Sequence, residues 1–321
     1  MSIIRCVFKR PLGPVVLKEV FPMNELERLE AMLRALPASL SIEQRRAASD
    51  ALGDLFPLAA DVRVEQVGAH GVPAEWTFTP VASTSEVILY LHSGGYVWGS
   101  LKSHRHLVSE LGRAATMRTL ALDYRRAPEF PFPHALEDAV SGYRFLVDSG
   151  FKPRQIAVAG DSAGAGLAVA LLVRLRELGM QQPACALLLS PWADMTATAD
   201  SYSRNAKRDP VLNREIMQFL AEQYLGKRSR ETPLASPVFA DLSGIAPLTI
   251  FVGATEALLD DAVALTRAAG LADVSVRLEI WPKMFHVWAT YHQVLAQGRQ
   301  AVARAGRLLR EAVEAASSGE G

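Results

Sequence analysis

The sequence predicts an α/β fold, with a mainly parallel eight-stranded sheet covered by helices on both faces and a helical cap. Three observations carry this. From residue 61 onward, short apolar runs alternate with stretches of helical period. The later runs are apolar almost throughout, as strands covered on both faces must be. Two further stretches supply helices but no strand. A chain of 321 residues, half of them hydrophobic, is long enough to bury about three quarters of its unfolded surface in one large domain.

In chain order, residues 1–60 come first as a helical cap segment. Leu26, Leu29, Met32, Leu33 and Leu36 mark an amphipathic helix capped by Asn24 and stopped by Pro37, and a second helical stretch follows near 41–52. Residues 61–196 form the first part of the sheet-bearing core, with strands expected at 61–67, 74–80, 86–91, 118–123, 155–160 and 184–190. Between the third and fourth of these, Leu107, Val108, Leu111, Ala114 and Ala115 fall on one helical face. Residues 197–233 break the alternation and read as a cap insertion, with a helix near 213–225 ended by Gly226. Residues 234–321 complete the core, with strands at 247–253 and 274–281. A charge-rich helix bearing Val302, Leu308, Leu309 and Val313 on one face covers the sheet and frays from residue 317. The last strand should be a sheet edge, where a second copy can pair into a homodimer.

Composition narrows the partners. Formal net charge is zero and the isoelectric point about 7.1, so nothing draws the chain to nucleic acid or anionic lipid. No apolar run approaches the roughly 18 residues needed to cross a bilayer, so no membrane insertion is expected. Arg5, Lys9 and Arg10 are followed by no sustained apolar stretch, unlike a secretory signal. Cys6 and Cys185 are the only cysteines, which points away from a disulfide framework and towards a reducing cytoplasm. No His/Cys cluster has metal-ligand spacing, and neither a metal nor an organic cofactor is expected. A small neutral molecule is the expected partner.

The chemistry is concentrated in two turns. Gly160-Asp161-Ser162-Ala163-Gly164 separates a buried-strand pattern from a small-residue helix, the context of a nucleophile elbow, where a strained turn lifts a serine hydroxyl clear of the sheet. The second turn, His92-Ser93-Gly94-Gly95, ends the strand at 86–91. Adjacent glycines there leave backbone N–H groups sterically open, as a developing oxyanion requires. Each turn alone is weak evidence. Together and in this order they point to acyl transfer.

With these stretches, Asp123-Tyr124-Arg125-Arg126-Ala127-Pro128-Glu129, Ser190-Pro191-Trp192-Ala193-Asp194 and Met284-Phe285-His286-Val287-Trp288 resemble the hormone-sensitive-lipase family of α/β-hydrolases, the bacterial esterase and lipase branch. The resemblance implies an α/β-hydrolase fold and a serine carboxylesterase acting on short-chain acyl esters through an acyl-enzyme. It places an oxyanion hole on the N–H groups of Gly94, Gly95 and Ala163. Ser93 departs from the family's H-G-G-G and puts a side chain where the backbone is otherwise bare. The family's chain order puts the acid and then the histidine after Ser162. His286, just past the last strand, fits as base. His70, His92, His104, His106 and His134 read as turn or helix residues, and His292 as a helix-surface histidine.

For the acid, the family register selects Glu256, with Asp260 the alternative; Asp260 and Asp261 also suit a helix N-terminus. Tyr124, Arg125, Glu129, Asp138, Trp192 and Asp194 read as supports under the active-site loops. A substrate pocket is assigned to Ser93, Trp98, Tyr202, Phe285 and Trp288, though the aromatic ones equally suit core. Two other functions stay open. Stretches 71–76 and 255–261 resemble the branch with monoterpene ε-lactone hydrolases, whose site opens a cyclic ester. A non-catalytic receptor on this fold is the third, and His286 argues against it.

Overall fold

In this computed structural model the described residues are 23–35 and 40–319. Arg5, Cys6, Lys9, Arg10, Leu36, Pro37 and the last two residues of the C-terminal segment lie outside them.

Two capped helices begin the described chain. In α1 (Glu25–Arg34) the Asn24 side chain accepts from the Glu27 N–H while Glu27 bonds back to Asn24, and α2 (Ile42–Gly53) repeats this with Ser41 and Gln44. Strands β1 (Arg63–Ala69) and β2 (Val72–Phe78) form a hairpin. Its two-residue turn, His70-Gly71, has both φ angles positive, matching the twist of the flanking strands. There follow β3 (Ser83–Leu91), α3 (Leu101–Ala115), β4 (Met117–Leu122), α4 (His134–Asp148), β5 (Ile156–Asp161), α5 (Ala163–Glu177) and β6 (Cys185–Leu189). The insertion holds α6 (Ser201–Arg204) and α7 (Arg214–Leu225). The chain finishes with β7 (Leu248–Gly253), α8 (Leu259–Leu271), β8 (Val276–Trp281) and α9 (Ala296–Ser318).

The eight strands form one sheet in the order β1-β2-β4-β3-β5-β6-β7-β8. Pairing is antiparallel for β1 with β2 and β2 with β4, and parallel everywhere else. This is the α/β-hydrolase fold. All eight expected strands are present, shifted at their ends by up to three residues, and β8 is an edge as expected.

Strand alternation divides the core in two. Leu89, Leu91, Val158, Leu188 and Ile250 face a cluster shared with α4, α5, α8 and the insertion. Ile88, Tyr90, Ala157, Leu187 and Phe251 face a second cluster built on α3 and α9, which also takes Leu29 and Leu33 of α1. At about 25 cal/mol per Å² of apolar surface, these two layers are the main stabilising term. Leu107, Val108, Leu111 and Ala115 of α3 are buried as their period required, and Ala114 is half-buried. Phe285 and Trp288 lie in the second cluster, with Trp288 5.7 Å from Trp281 between ring centres. Of the two roles the sequence left open for them, this placement is the core one.

One histidine differs from expectation. His292 does not lie on a helix surface. It closes a short 3-10 turn, is buried, and stacks on His106 with ring centres 5.4 Å apart. Neighbouring α3 covers it, a tertiary contact that helical spacing in one segment does not reveal.

Candidate active site

Three residues far apart in sequence meet at the carboxyl ends of the parallel strands, where open α/β sheets bind ligands. Ser162 caps β5 at the first turn of α5 with φ 53° and ψ −118°. A serine rarely adopts a positive φ, and such strain persists only where the surroundings fix it. Here the Ser162 N–H donates to the Leu189 carbonyl at 2.8 Å, and its carbonyl accepts from Trp192 N–H at 3.0 Å. The flanking glycines are required by contact. A Cβ on Gly164 would stand 2.0 Å from the Leu91 carbonyl oxygen, and one on Gly160 would stand 2.4 Å from that of Gly164.

His286 follows β8, and its Nε2 lies 2.8 Å from Ser162 Oγ. Its Nδ1 lies 3.0 Å from Glu256 Oε2, in the loop after β7. Both side chains are buried. The other carboxylate oxygen, Glu256 Oε1, accepts from Ser190 Oγ at 2.7 Å and from the Gly253 N–H at 2.5 Å. Asp260 lies elsewhere, accepting from the Ser201 N–H at 2.8 Å and pairing with Arg204 at 3.0 Å. Asp261 accepts from the Ala193 and Asp194 N–H groups. Glu256 is therefore the one of the three carboxylates that meets His286.

Electrostatics around Glu256 are unusual in one respect. Burial raises its carboxyl above the ordinary value, against the hydrogen bond and charge of His286, and the neighbouring carboxylate of Asp209 adds to the rise. Asp209 is itself raised by burial, opposed by the charge of His286 and by backbone N–H donors. Its Oδ2 accepts from Ala257 N–H at 2.9 Å, and its Oδ1 from Val211 and Leu212. Asn205 Nδ2 donates to the Glu256 carbonyl at 2.7 Å. Two residues of the insertion thus grip the loop that carries Glu256.

Sequence reasoning did not single out Ser190, Asn205 or Asp209. Ser190 stands within one of the stretches that resemble the family, with nothing local to mark its hydroxyl as functional. Its hydroxyl bonds Glu256 and accepts from Val287 N–H at 3.2 Å, bracing a β-branched residue held at φ 51° beside the histidine. Asn205 and Asp209 lack any local signal, because polar residues in an insertion look solvent-facing until tertiary structure buries them.

The turn after β3 lies beside the elbow. Gly94 and Gly95 take φ of 117° and 60°, and Tyr124 donates its hydroxyl to the His92 carbonyl at 2.7 Å beneath them. A Cβ on Gly95 would stand 2.5 Å from Leu220, which places α7 directly over the turn. Tyr224 of α7 stacks on Tyr96, with ring centres 3.8 Å apart. The N–H of Ala163, in the first turn of α5, has no intrahelical acceptor, as at any helix start. Ser93 Oγ points to His104 Nε2 at 2.8 Å. Trp98 is half-buried under the Arg45 guanidinium, 5.2 Å from its ring centre, and Tyr202 is buried with Arg214 over its ring.

Of the supports, Arg125 pairs with Asp138 at 2.7 Å, Glu129 pairs with Arg46 of α2, and Trp192 Nε1 donates to the Asp194 carbonyl. Arg46 also donates to the Val97 carbonyl, and Arg34 of α1 to that of Arg208, so both N-terminal helices touch segments around the site.

Residues 88–290 match a family model described as alpha/beta hydrolase fold. The chain is similar to an acetyl-hydrolase of Streptomyces hygroscopicus, 46% identical over 271 residues that cover 84% of this chain and 90% of that protein. It is similar to an esterase of Acinetobacter venetianus, 34% identical over 278 residues covering 86% and 91%. Among solved structures, an esterase from the bacterial hormone-sensitive lipase family superposes with a TM-score of 0.88 at 46% identity, covering 90% of this chain and 98% of that one.

Proposed function

The chain belongs to the α/β-hydrolase family, in its bacterial hormone-sensitive-lipase esterase branch, and is a carboxylic-ester hydrolase; from that premise we propose that it cleaves short-chain acyl esters through Ser162, His286 and Glu256. The observation that carries the proposal is the unbroken chain of hydrogen bonds, 2.8 Å from Ser162 Oγ to His286 Nε2 and 3.0 Å from His286 Nδ1 to Glu256 Oε2. Glu256 holds the proton on Nδ1, leaving Nε2 bare to take the serine proton.

In the first step His286 Nε2 accepts the hydroxyl proton while Ser162 Oγ bonds to the ester carbonyl carbon. The carbonyl oxygen takes up the charge and meets the N–H groups of Gly94, Gly95 and Ala163. As the tetrahedral intermediate collapses, the carbon–oxygen bond to the alcohol breaks and His286 returns the proton to that oxygen. A water, deprotonated by the same imidazole, then releases the acid and restores the serine. The Glu256 carboxylate stabilises the imidazolium formed in each half.

Short acyl groups are favoured because α7 closes on the oxyanion turn, with Leu220 against Gly95 and Tyr224 stacked on Tyr96. We read the described residues 23–35 and 40–60, with 197–233, as the cap, supported by the contacts of Arg34, Arg46, Asn205 and Leu220. A lactone, being a cyclic ester, suits the same chemistry. A cytoplasmic location is in keeping with Cys185, whose thiol burial pushes up to about 12 and so makes inert. A second copy would pair along β8, where Ile280 is exposed; a monomeric mass at high concentration rejects that pairing. The test of the function is turnover of nitrophenyl acetate, butyrate and octanoate beside a lactone panel, with Ser162→Ala as control. Turnover falling with chain length and abolished in Ser162→Ala supports the proposal; full activity in Ser162→Ala overturns it.

A further inference from the structure

The departure from H-G-G-G at Ser93 falls where the backbone needs no glycine, since Ser93 is absent from the positive-φ residues while Gly94, Gly95 and Tyr96 are among them. Its side chain also has a destination. His104, buried on α3, brings its Nε2 to 2.8 Å from Ser93 Oγ and 3.3 Å from the Ser93 amide nitrogen. The other ring nitrogen is fixed. Ser103 Oγ donates to the Ser100 carbonyl at 2.9 Å and so offers a lone pair to Nδ1, 2.8 Å away. Nδ1 therefore carries a hydrogen, and Nε2 is left to Ser93.

The same Nε2 lies 3.4 Å from Oδ2 of Asp161, the residue that precedes Ser162. Asp161 has no exposed surface, and its Oδ1 accepts from the Tyr90 hydroxyl at 2.8 Å. Burial works against the charged form of this carboxyl. The Tyr90 hydrogen bond is among the contacts that outweigh it and hold the carboxyl below its usual range. One side of this network belongs to the elbow and the other to the oxyanion turn. Ser93 is the only member of it that lies within the turn.

We propose that Ser93 is a positioning residue for the oxyanion turn: its hydroxyl ties the backbone that presents Gly94 and Gly95 to His104, which packs beside Asp161 of the elbow, so that the donors and the nucleophile are held in one frame. A glycine at 93 would leave this tie to the backbone amide alone. The inference rests on the oxyanion role given to Gly94 and Gly95 above. Such a tie is felt where charge develops on the carbonyl oxygen, because small errors in donor placement cost most in the transition state.

The test compares Ser93→Ala, Ser93→Gly and Ser93→Thr with the unmodified chain on nitrophenyl acetate, together with inhibition by a trifluoromethyl ketone, which mimics the tetrahedral intermediate. Ser93→Ala and Ser93→Gly should lower kcat by roughly tenfold, less than the hundredfold or more expected for losing a donor outright. KM should stay within about twofold, ketone affinity should fall in parallel with kcat, and Ser93→Thr should recover most of both. His104→Gln should lose a similar factor, and the double variant Ser93→Ala/His104→Gln should be no worse than the weaker single. An unchanged kcat in Ser93→Ala, a loss confined to KM, or additive losses in the double variant would overturn the inference. Ser162→Ala separates the two levels: if it is dead while Ser93→Ala is fully active, only the role of Ser93 fails, whereas an active Ser162→Ala removes the proposed function itself.

Discussion

Replacing Glu256 by glutamine changes one atom and should disable the site, for a reason readable in its hydrogen bonds. Oε1 receives two donors, the Ser190 hydroxyl at 2.7 Å and the Gly253 N–H at 2.5 Å, while Oε2 faces His286 Nδ1 at 3.0 Å. The Gly253 N–H cannot turn away, so a glutamine NH₂ placed there would oppose a fixed donor. The amide must put its oxygen at the Gly253 side and its NH₂ towards His286. Nδ1 then becomes an acceptor and the ring proton moves to Nε2, where it points at Ser162 Oγ and blocks proton uptake. The wrong tautomer in such a triad costs about 10⁴ in kcat, which is about 5 kcal/mol of barrier at 1.36 kcal/mol per decade.

Asp260→Asn is the matched control, because Asp260 contacts Ser201 and Arg204 and should lose less than about threefold. The assay is kcat on nitrophenyl acetate at pH 8, with circular dichroism to verify folding. A Glu256→Gln protein within tenfold of normal turnover, or a thousandfold loss in Asp260→Asn, would refute the assignment of the acid.

Three further outcomes are expected. Gly164→Ala puts a methyl 2.0 Å from the Leu91 carbonyl oxygen and should destabilise the fold by about 3 kcal/mol, seen in the urea midpoint; a midpoint within error of normal would contradict the packing described for the elbow. Leu220→Ala removes the side chain nearest Gly95 and should move the preferred nitrophenyl ester to a longer acyl chain, measured as the ratio of kcat/KM for octanoate to acetate; a ratio that does not rise would show that α7 does not limit the acyl group. His106, buried and held down to about 3 by burial and by His292, prefers to be neutral when folded, so the unfolded chain binds more protons below its ordinary 6.5. Stability from this group is therefore full above pH 6.5 and lost as pH falls towards 3, by about 1.4 kcal/mol per unit. His106→Gln should flatten the pH dependence of the urea midpoint in that window, and an unchanged slope would count against it.

The sheet was legible because its physics is local. Runs such as Val87-Ile88-Leu89-Tyr90-Leu91 must be covered on both faces wherever they pack, and all eight strands lie within three residues of their expected ends. Gly160 and Gly164 announced the elbow because no side chain fits between strand and helix there. The register that favoured Glu256 over Asp260 came from the resemblance, and only the fold brings its carboxylate to His286. Asn205, Asp209 and the pairing of His106 with His292 were not legible. Each depends on a partner more than forty residues away, and nothing in the neighbouring sequence marks a polar side chain as buried.

The grip of Asn205 and Asp209 joins the insertion to the loop whose carboxylate meets His286. An engineer who exchanges residues 197–233 with those of a relative, seeking a new acyl preference, also swaps the struts under the Glu256 loop. Chimeras that keep these two side chains should retain their turnover, while those that discard them should be slow on every ester alike, however well the new insertion suits its intended guest.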